Sequence, residues 1–108
     1  MENRAPCASA NPYLIFAAAF AAGLDGIENK IDPGQHAVGD IYGVEPGTYD
    51  TVPFYLQDAL EELKADKVLC EAMGPELIQA FVALKEDELD RFRKHVTDWE
   101  FNEYSFQL

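Results

Sequence analysis

Residues 11–28 read NPYLIFAAAFAAGLDGIE, and this stretch decides the fold of the first third of the chain. Asparagine is a favoured N-cap, and proline suits the first helical position because the N–H that it lacks would be unpaired there. The alanine-rich run that follows predicts a helix with almost no polar stripe before Asp25. A helix that is apolar on every side is buried on every side, and a small domain rarely surrounds one helix. We therefore expect something outside this chain to cover it.

Composition and charge narrow the class of protein. The chain has 108 residues, of which 48% are hydrophobic, as expected for one small globular domain. Its formal net charge of −12 argues against nucleic acid and against an anionic membrane surface as partners. Two cysteines are too few for a disulfide framework, and neither a signal peptide nor a membrane span is evident. The sequence thus predicts a soluble, acidic, cytoplasmic protein.

The remainder of the chain predicts one long loop and then further helices. Residues 30–53 contain two Pro-Gly pairs, which predict turns, and so long a connection is typical of a functional or partner-packed segment. Apolar residues at three- and four-residue spacing predict helices within 54–73 and 75–95. Thr97 and Glu100 have capping-box spacing, which predicts a last helix within 97–107. Together with the helix within 12–29, this pattern predicts a mostly α chain.

Most residues with reactive side chains have a simple structural interpretation. The chain contains no Gly-rich phosphate loop, CxxC pair, HExxH or GxSxG motif. His36 and His95 are far apart and have no nearby cysteine, so we interpret them as structural or solvated. Cys7 and Cys70 are interpreted as small apolar fillers, and the charge run at 86–90 as a solvated helix face.

The first residues include one pair of side chains, Glu2 and Arg4, that could bind a ligand. In a strand end at residues 1–5, Glu2 and Arg4 would project from the same face, because side chains alternate along a strand. Carboxylate oxygens suit divalent cations, and the guanidinium fork suits carboxylate or phosphate groups. The pair could hold a metal ion and an anionic group together, although a frayed terminus or a simple ion pair fits the sequence as well.

Several motifs in fixed order resemble the C-terminal part of the glutamine synthetase catalytic domain of the type I family. They are Glu-x-Arg-x-Pro at 2–6, Asn-Pro-Tyr-Leu at 11–14, Ala-Gly-Leu-Asp-Gly-Ile at 22–27 and Asn-Lys-Ile-x-Pro-Gly at 29–34. The later helices are similar to the closing helices of the family. The resemblance covers nearly the whole chain, but only about the last quarter of a full-length member. It implies an α+β domain, an antiparallel sheet backed by helices, of which this chain is the helical C-terminal piece.

The resemblance implies an ATP-dependent ligase that joins ammonia to the γ-carboxyl group of glutamate through γ-glutamyl phosphate. Full-length members use magnesium or manganese together with ATP. In the family pattern Glu2 matches a metal ligand, and Arg4 matches an arginine that contacts the glutamate and phosphoryl groups. Arg4 is therefore the candidate catalytic and substrate-binding residue. The other metal ligands and the ATP-binding residues of the family match no part of this chain. We therefore expect the 108 residues to bind no cofactor and to be inactive on their own.

Three finer points stay open at the level of the sequence. Tyr42 lies eight positions after Gly34, the spacing of a tyrosine that some bacterial members adenylylate, but its neighbours differ and a packed loop tyrosine is the alternative. Residues 2–7 look more like divergent members, including γ-glutamylpolyamine synthetase-like ones, so a γ-glutamylamine ligase is a second interpretation. A non-catalytic helical interaction module, docked on other subunits, is a third.

The end of the chain is unusually aromatic. Its last ten residues include five large apolar or aromatic side chains: Trp99, Phe101, Tyr104, Phe106 and Leu108. Chain ends are normally polar and frayed unless they are held by contacts. The resemblance implies a homo-oligomer, a dodecamer of stacked hexameric rings in which this segment lies between the rings. The alternative is that it folds back on the helix within 75–95.

Overall fold

The computed structural model describes residues 3–45 and 47–107, and within them the chain is helical. A short 3-10 helix, Ile41–Gly43, lies in the loop between the first two α-helices. The α-helices are α1 (Pro12–Glu28), α2 (Leu56–Ala65), α3 (Lys67–Met73), α4 (Pro75–Lys94) and α5 (Asp98–Tyr104). No strand occurs in this part of the chain. The expectation of a mostly α chain is therefore confirmed.

The predicted strand end at residues 1–5 is not seen in the described residues. Residues 1 and 2 lie outside the described residues, and residues 3–5 are not in a strand. A strand needs a neighbour to accept and donate its backbone hydrogen bonds, and residues 3–45 and 47–107 provide none. A strand at this place would have to pair with a sheet formed by other residues, so the strand end stays a prediction.

Side chains near both ends of α1 fix its boundaries. The Asn11 side-chain oxygen accepts hydrogen bonds from the backbone N–H groups of Tyr13 at 2.9 Å and Leu14 at 3.4 Å. At the other end, the Asn29 amide nitrogen donates to the Asp25 carboxylate at 2.8 Å. Lys30 then adopts a φ of 51°, in the left-handed region that ends helices. Local contacts therefore set both boundaries of this helix.

Helices α2, α3 and α4 follow one another with a single residue at each junction. The Asp66 backbone N–H donates to Glu62 at 3.0 Å at the end of α2. The Asp66 carboxylate accepts from the Leu69 N–H at 2.9 Å at the start of α3. Gly74, with a φ of 88°, turns the chain into Pro75 at the start of α4.

The hydrophobic core lies between these three helices and is small. Only Leu60, Ile78 and Val82 are buried among the described residues, with Leu63, Cys70, Met73, Phe81 and Leu89 half-buried around them. Lys64 strengthens the α2–α4 contact, because its ammonium group lies 2.6 Å from Glu61 and 3.2 Å from Glu86. Such a core is small for a chain of 108 residues, so much of the apolar surface is left outside it.

The first and last helices are attached differently to this core. One side of α1 packs against α3, and no residue of α1 is buried. The Thr97 hydroxyl accepts from the Glu100 N–H at 3.2 Å, and the Glu100 carboxylate accepts from the Thr97 N–H at 2.8 Å. This capping box starts α5, which packs against no other helix in the described part of the chain. The alternative in which the tail folds back on α4 is therefore wrong for the described tail residues.

Candidate functional site

The segment before α1 carries Arg4 and is shaped by two short-range contacts. Arg4 is exposed, and the neighbouring Asn3 side-chain oxygen accepts a hydrogen bond from the Ala5 N–H at 3.1 Å. Further along, the Ala10 N–H donates to the Cys7 carbonyl at 3.1 Å. Both contacts are local turns, so the backbone on either side of Arg4 has a defined path into α1.

The predicted partner of Arg4 cannot be placed beside it. Glu2 lies outside the described residues, so the structure does not test the pairing of the two side chains. In the described part of the chain, no group of three or more His, Cys, Asp or Glu side chains could hold a metal ion. Magnesium and manganese need several oxygen ligands, so these residues do not fit a complete metal site.

The two cysteines differ in their surroundings. Cys7 is exposed, and its sulfur lies 2.9 Å from the Ser9 hydroxyl oxygen, a hydrogen bond that lowers the pKa of the Cys7 thiol. The interpretation of Cys7 as an apolar filler is therefore wrong. Cys70 is half-buried against the core and donates its S–H to the Leu63 carbonyl at 3.3 Å, which fits that role. His36 and His95 are exposed, as a solvated role requires.

Tyr42 stands in the 3-10 helix of the long loop. The Asp40 carboxylate accepts a hydrogen bond from the Tyr42 N–H at 3.0 Å and caps this turn. The side chain itself is 93% exposed. Within this chain Tyr42 is therefore not a packed loop residue, and a modifying enzyme has room to reach its ring.

An apolar groove beside the Arg4 segment was missed at the level of the sequence. It has a volume of about 470 Å³ and lies between the start of α1 and the helices α3 and α4. Its walls include Leu14 and Ala18 of α1 and Leu77 and Phe81 of α4. The ammonium group of Lys85 at its edge is already 2.6 Å from the Glu88 carboxylate. The groove therefore suits apolar side chains better than a charged ligand. Only the packing of α1 creates it, which is why periodicity along the chain gave no signal.

A comparison with protein families gives this geometry its context. Residues 1–104 match the family described as the glutamine synthetase catalytic domain. The chain belongs to the glutamine synthetase family. The matched range includes the Glu2–Arg4 motif, all of α1 and the loop that carries Tyr42.

Individual relatives agree with this assignment. Glutamine synthetase from Methanococcus voltae is 41% identical over an alignment of 109 positions, which covers 96% of this chain and 24% of that protein. The glutamate–methylamine ligase from Methyloversatilis universalis is 38% identical over the same shares. The solved structure of apo GmaS without ligand matches with a TM-score of 0.83 and 39% identity, over 94% of this chain and 24% of that one. The chain therefore spans about a quarter of the length of the relatives that it matches.

The family match also bears on the sequence motifs. The motif resemblance to glutamine synthetase is confirmed, since relatives named glutamine synthetase align along nearly all of the chain. The individual roles of Glu2, Arg4 and Tyr42 stay predictions. None of the described helices combines the length and the hydropathy that a membrane span requires.

Proposed function

We propose that this chain is part of an ATP-dependent ligase that joins ammonia to the γ-carboxyl group of glutamate, in glutamine biosynthesis. The match of residues 1–104 to the glutamine synthetase catalytic domain carries this proposal. Because the chain spans about a quarter of its relatives, the activity belongs to a protein or assembly in which further residues complete the domain. ATP and glutamate are metabolites of the cytoplasm, and we place the protein there.

The chemistry explains the role proposed for Arg4. The γ-carboxylate of glutamate attacks the γ-phosphorus of ATP, which releases ADP and gives γ-glutamyl phosphate. Ammonia then displaces phosphate and loses a proton, which gives glutamine. Negative charge develops on the transferring oxygens in both steps, so positive groups around them lower the barrier. Arg4 is exposed, and a guanidinium group can form two parallel hydrogen bonds with a carboxylate or phosphoryl group. We assign it the catalytic and substrate-binding role.

Glu2 is proposed as one ligand of a magnesium or manganese ion in the complete domain, where other residues supply the remaining ligands. Its carboxylate is of the type that such ions prefer. The variant Glu2→Gln, made in the complete enzyme, should raise the Mg²⁺ concentration needed for half-maximal activity. An unchanged Mg²⁺ requirement would contradict the assignment.

A chimera tests the proposed activity directly. In it, this chain replaces the segment of the Methanococcus voltae glutamine synthetase that aligns with it, 24% of that protein. We expect the chimera to form glutamine from glutamate, ammonia and MgATP, while the 108-residue chain alone and the recipient without the segment stay at background. A chimera that folds and melts cooperatively but forms no γ-glutamyl product would contradict the proposal and favour the non-catalytic module.

A γ-glutamylamine ligase is the second candidate, because a glutamate–methylamine ligase is among the relatives at 38% identity. The two reactions share γ-glutamyl phosphate and differ only in the amine that attacks it. The complete enzyme that carries this chain should be offered ammonia and methylamine in competition. Mass spectrometry of the products then separates the two candidates, because glutamine and γ-glutamylmethylamide differ in mass.

Tyr42 is proposed as a site of covalent modification, supported by its exposure and by its spacing from Gly34. Transfer of AMP from ATP to its hydroxyl group would release pyrophosphate and leave a phosphodiester on the ring. Intact-mass analysis of the protein purified from its natural host should show a species heavier by one adenylyl group. The variant Tyr42→Phe should lack that species, whereas Tyr49→Phe, in the same loop, should keep it.

We also propose that the complete protein is a homo-oligomer, a dodecamer of two stacked rings, with the aromatic tail as a contact between them. Trp99, Phe101 and Phe106 are all more than half exposed in this chain. Exposed clusters of large apolar side chains usually mark contact surfaces.

A further inference from the structure

Asn3 lies between the motif residues Glu2 and Arg4 in the sequence, and its side chain forms a hydrogen bond across Arg4. The Asn3 side-chain oxygen accepts from the Ala5 N–H at 3.1 Å, two positions further along the chain. The ring that this hydrogen bond closes runs through the N–Cα and Cα–C bonds of Arg4. The Asn3 side chain therefore restricts both backbone dihedral angles of Arg4. Asparagine is one of the few residues whose side chain forms such a turn.

The residues that follow Arg4 continue this restriction towards α1. Pro6 has a fixed φ and confines the preceding Ala5 to extended backbone. A turn over residues 7–10 and the Asn11 cap then lead into the helix. Since α1 packs against α3, a series of short-range constraints connects the Arg4 backbone to the helical body of the chain.

The same hydrogen bond limits how far a strand before the turn can extend. The Ala5 N–H is bonded to Asn3, and Pro6 has no N–H to donate. A strand that paired residues 1–4 with a sheet would therefore have no ladder donor at the next two positions. Arg4 thus stands where pairing with a sheet would end and the turn begins.

The Arg4 dihedral angles matter because the guanidinium group lies at the end of a long side chain. A displacement of about 1 Å at a reacting centre can cost about 100-fold in rate. We propose that Asn3 is a positioning residue for Arg4, and that its side chain holds the Arg4 backbone in the conformation from which the guanidinium group reaches the substrate. The proposal rests on the ligase function proposed above. It assigns a role to a position that the motif Glu-x-Arg-x-Pro leaves open.

The first test compares the kinetics of variants of the chimera described above. Asn3→Ala removes the acceptor, and one hydrogen bond of this kind shifts a conformational equilibrium by about 5-fold. We expect kcat to fall by about 5-fold and the KM for MgATP to stay unchanged, since no residue of this chain is assigned to ATP. Asp32→Ala is the matched control. The Asp32 carboxylate accepts from the Gly34 N–H at 2.9 Å in the same kind of turn, and kcat should not change when this turn is lost.

A double-mutant cycle separates positioning from a general loss of folded enzyme. In the Arg4→Ala background, Asn3→Ala should cause no further fall in kcat, because the group that Asn3 positions is already absent. A substitution that merely unfolds part of the enzyme would lower kcat by the same factor in both backgrounds. Equal falls in the two backgrounds would overturn the proposal.

A second measurement needs no turnover and uses the 108-residue chain. By NMR, the Ala5 amide should exchange its hydrogen about 5-fold more slowly in the unchanged chain and in Asn3→Asp, which keeps an acceptor, than in Asn3→Ala. The Gly34 amide is the internal control, because Asp32 supplies its acceptor in all of these proteins. Equal exchange of the Ala5 amide in the three proteins would overturn the proposal, whatever the chimera does.

Failure of the ligase function has a different signature from failure of the positioning role. A parent chimera that folds but forms no γ-glutamyl product would contradict the function, and the role of Asn3 in the reaction would fall with it. An active parent in which Asn3→Ala keeps its full kcat would contradict the role of Asn3 alone.

Discussion

Trp99 and Tyr104 meet edge to face near the end of the chain, with ring centroids 6.1 Å apart and an angle of 88° between the ring planes. This is the geometry that aromatic quadrupoles favour. Both rings are nevertheless more than half exposed, and α5 packs against no other described helix. The pair thus gives the tail a preformed aromatic surface that lies outside the core formed by the described residues.

Removal of this surface should affect assembly rather than subunit folding. Deletion of residues 99–108 from the complete enzyme should dissociate the rings, because their aromatic contact is lost while the core around Leu60 is untouched. Light scattering measures the mass, and circular dichroism checks the helices. An assembly that still contains twelve subunits after the deletion would contradict the proposed ring contact and indicate that the tail acts within the subunit.

Replacement of Arg4 should slow the reaction without unfolding the enzyme. In the chimera, Arg4→Lys should lower kcat by about 100-fold, because an ammonium group cannot form the paired hydrogen bonds of the guanidinium fork. Arg91→Lys is the matched control, since Arg91 is exposed and forms an ion pair with Asp87 within α4. Equal activity of the two variants in a glutamine-forming assay would contradict the catalytic role proposed for Arg4.

Replacement of a buried leucine by alanine should lower the free energy of unfolding far more than replacement of an exposed one. Leu60 is 3% exposed at the α2–α4 contact, so Leu60→Ala should lower the free energy of unfolding of the chimera by about 2–5 kcal/mol. Leu84 is exposed on α4, and Leu84→Ala should change that free energy by less than about 0.5 kcal/mol. Urea unfolding followed by circular dichroism measures both. Similar values for the two variants would place Leu60 outside the core.

The capping box of α5 should respond to acid. Hydrogen bonds from the backbone and then the side chain of Thr97 lower the pKa of the Glu100 carboxyl in the folded state. A carboxyl group with a lowered folded-state pKa stabilises the helix above its unfolded pKa, and this contribution is lost as the pH falls through the folded value. We therefore expect the amides of residues 98–104 to lose protection from hydrogen exchange on acidification.

Two neutral variants identify the group responsible. Glu100→Gln keeps an acceptor at the cap but cannot titrate, so this part of the pH dependence should disappear. Glu103→Gln removes a nearby carboxylate outside the capping box and should retain it. An acid response that persists in full in Glu100→Gln would assign the effect to a group other than Glu100.

The sequence predicted the features that depend on near neighbours. The Asn11 cap and the Thr97–Glu100 box are set by residues a few positions apart, and each is present. The groove between α1 and α4 was not predicted, because it depends on how distant helices pack. Cys7 was interpreted wrongly for a related reason, since its exposure depends on what lies around it rather than on its type. Arg4 was singled out by its motif alone, and no local physical signal distinguishes it from other exposed arginines.

The single-residue junctions at Asp66 and Gly74 have a consequence for the order of events during synthesis. Helices α2, α3 and α4 pack as immediate neighbours, and local contacts of this kind form fast. Helix α1 contacts α3 instead, across the whole of residues 29–66, so it must wait until α3 has left the ribosome. At about 5–20 residues per second, that wait lasts on the order of a few seconds. During this time the side of α1 that later packs against α3 is uncovered, and we expect chaperones that bind nascent chains to recognise it.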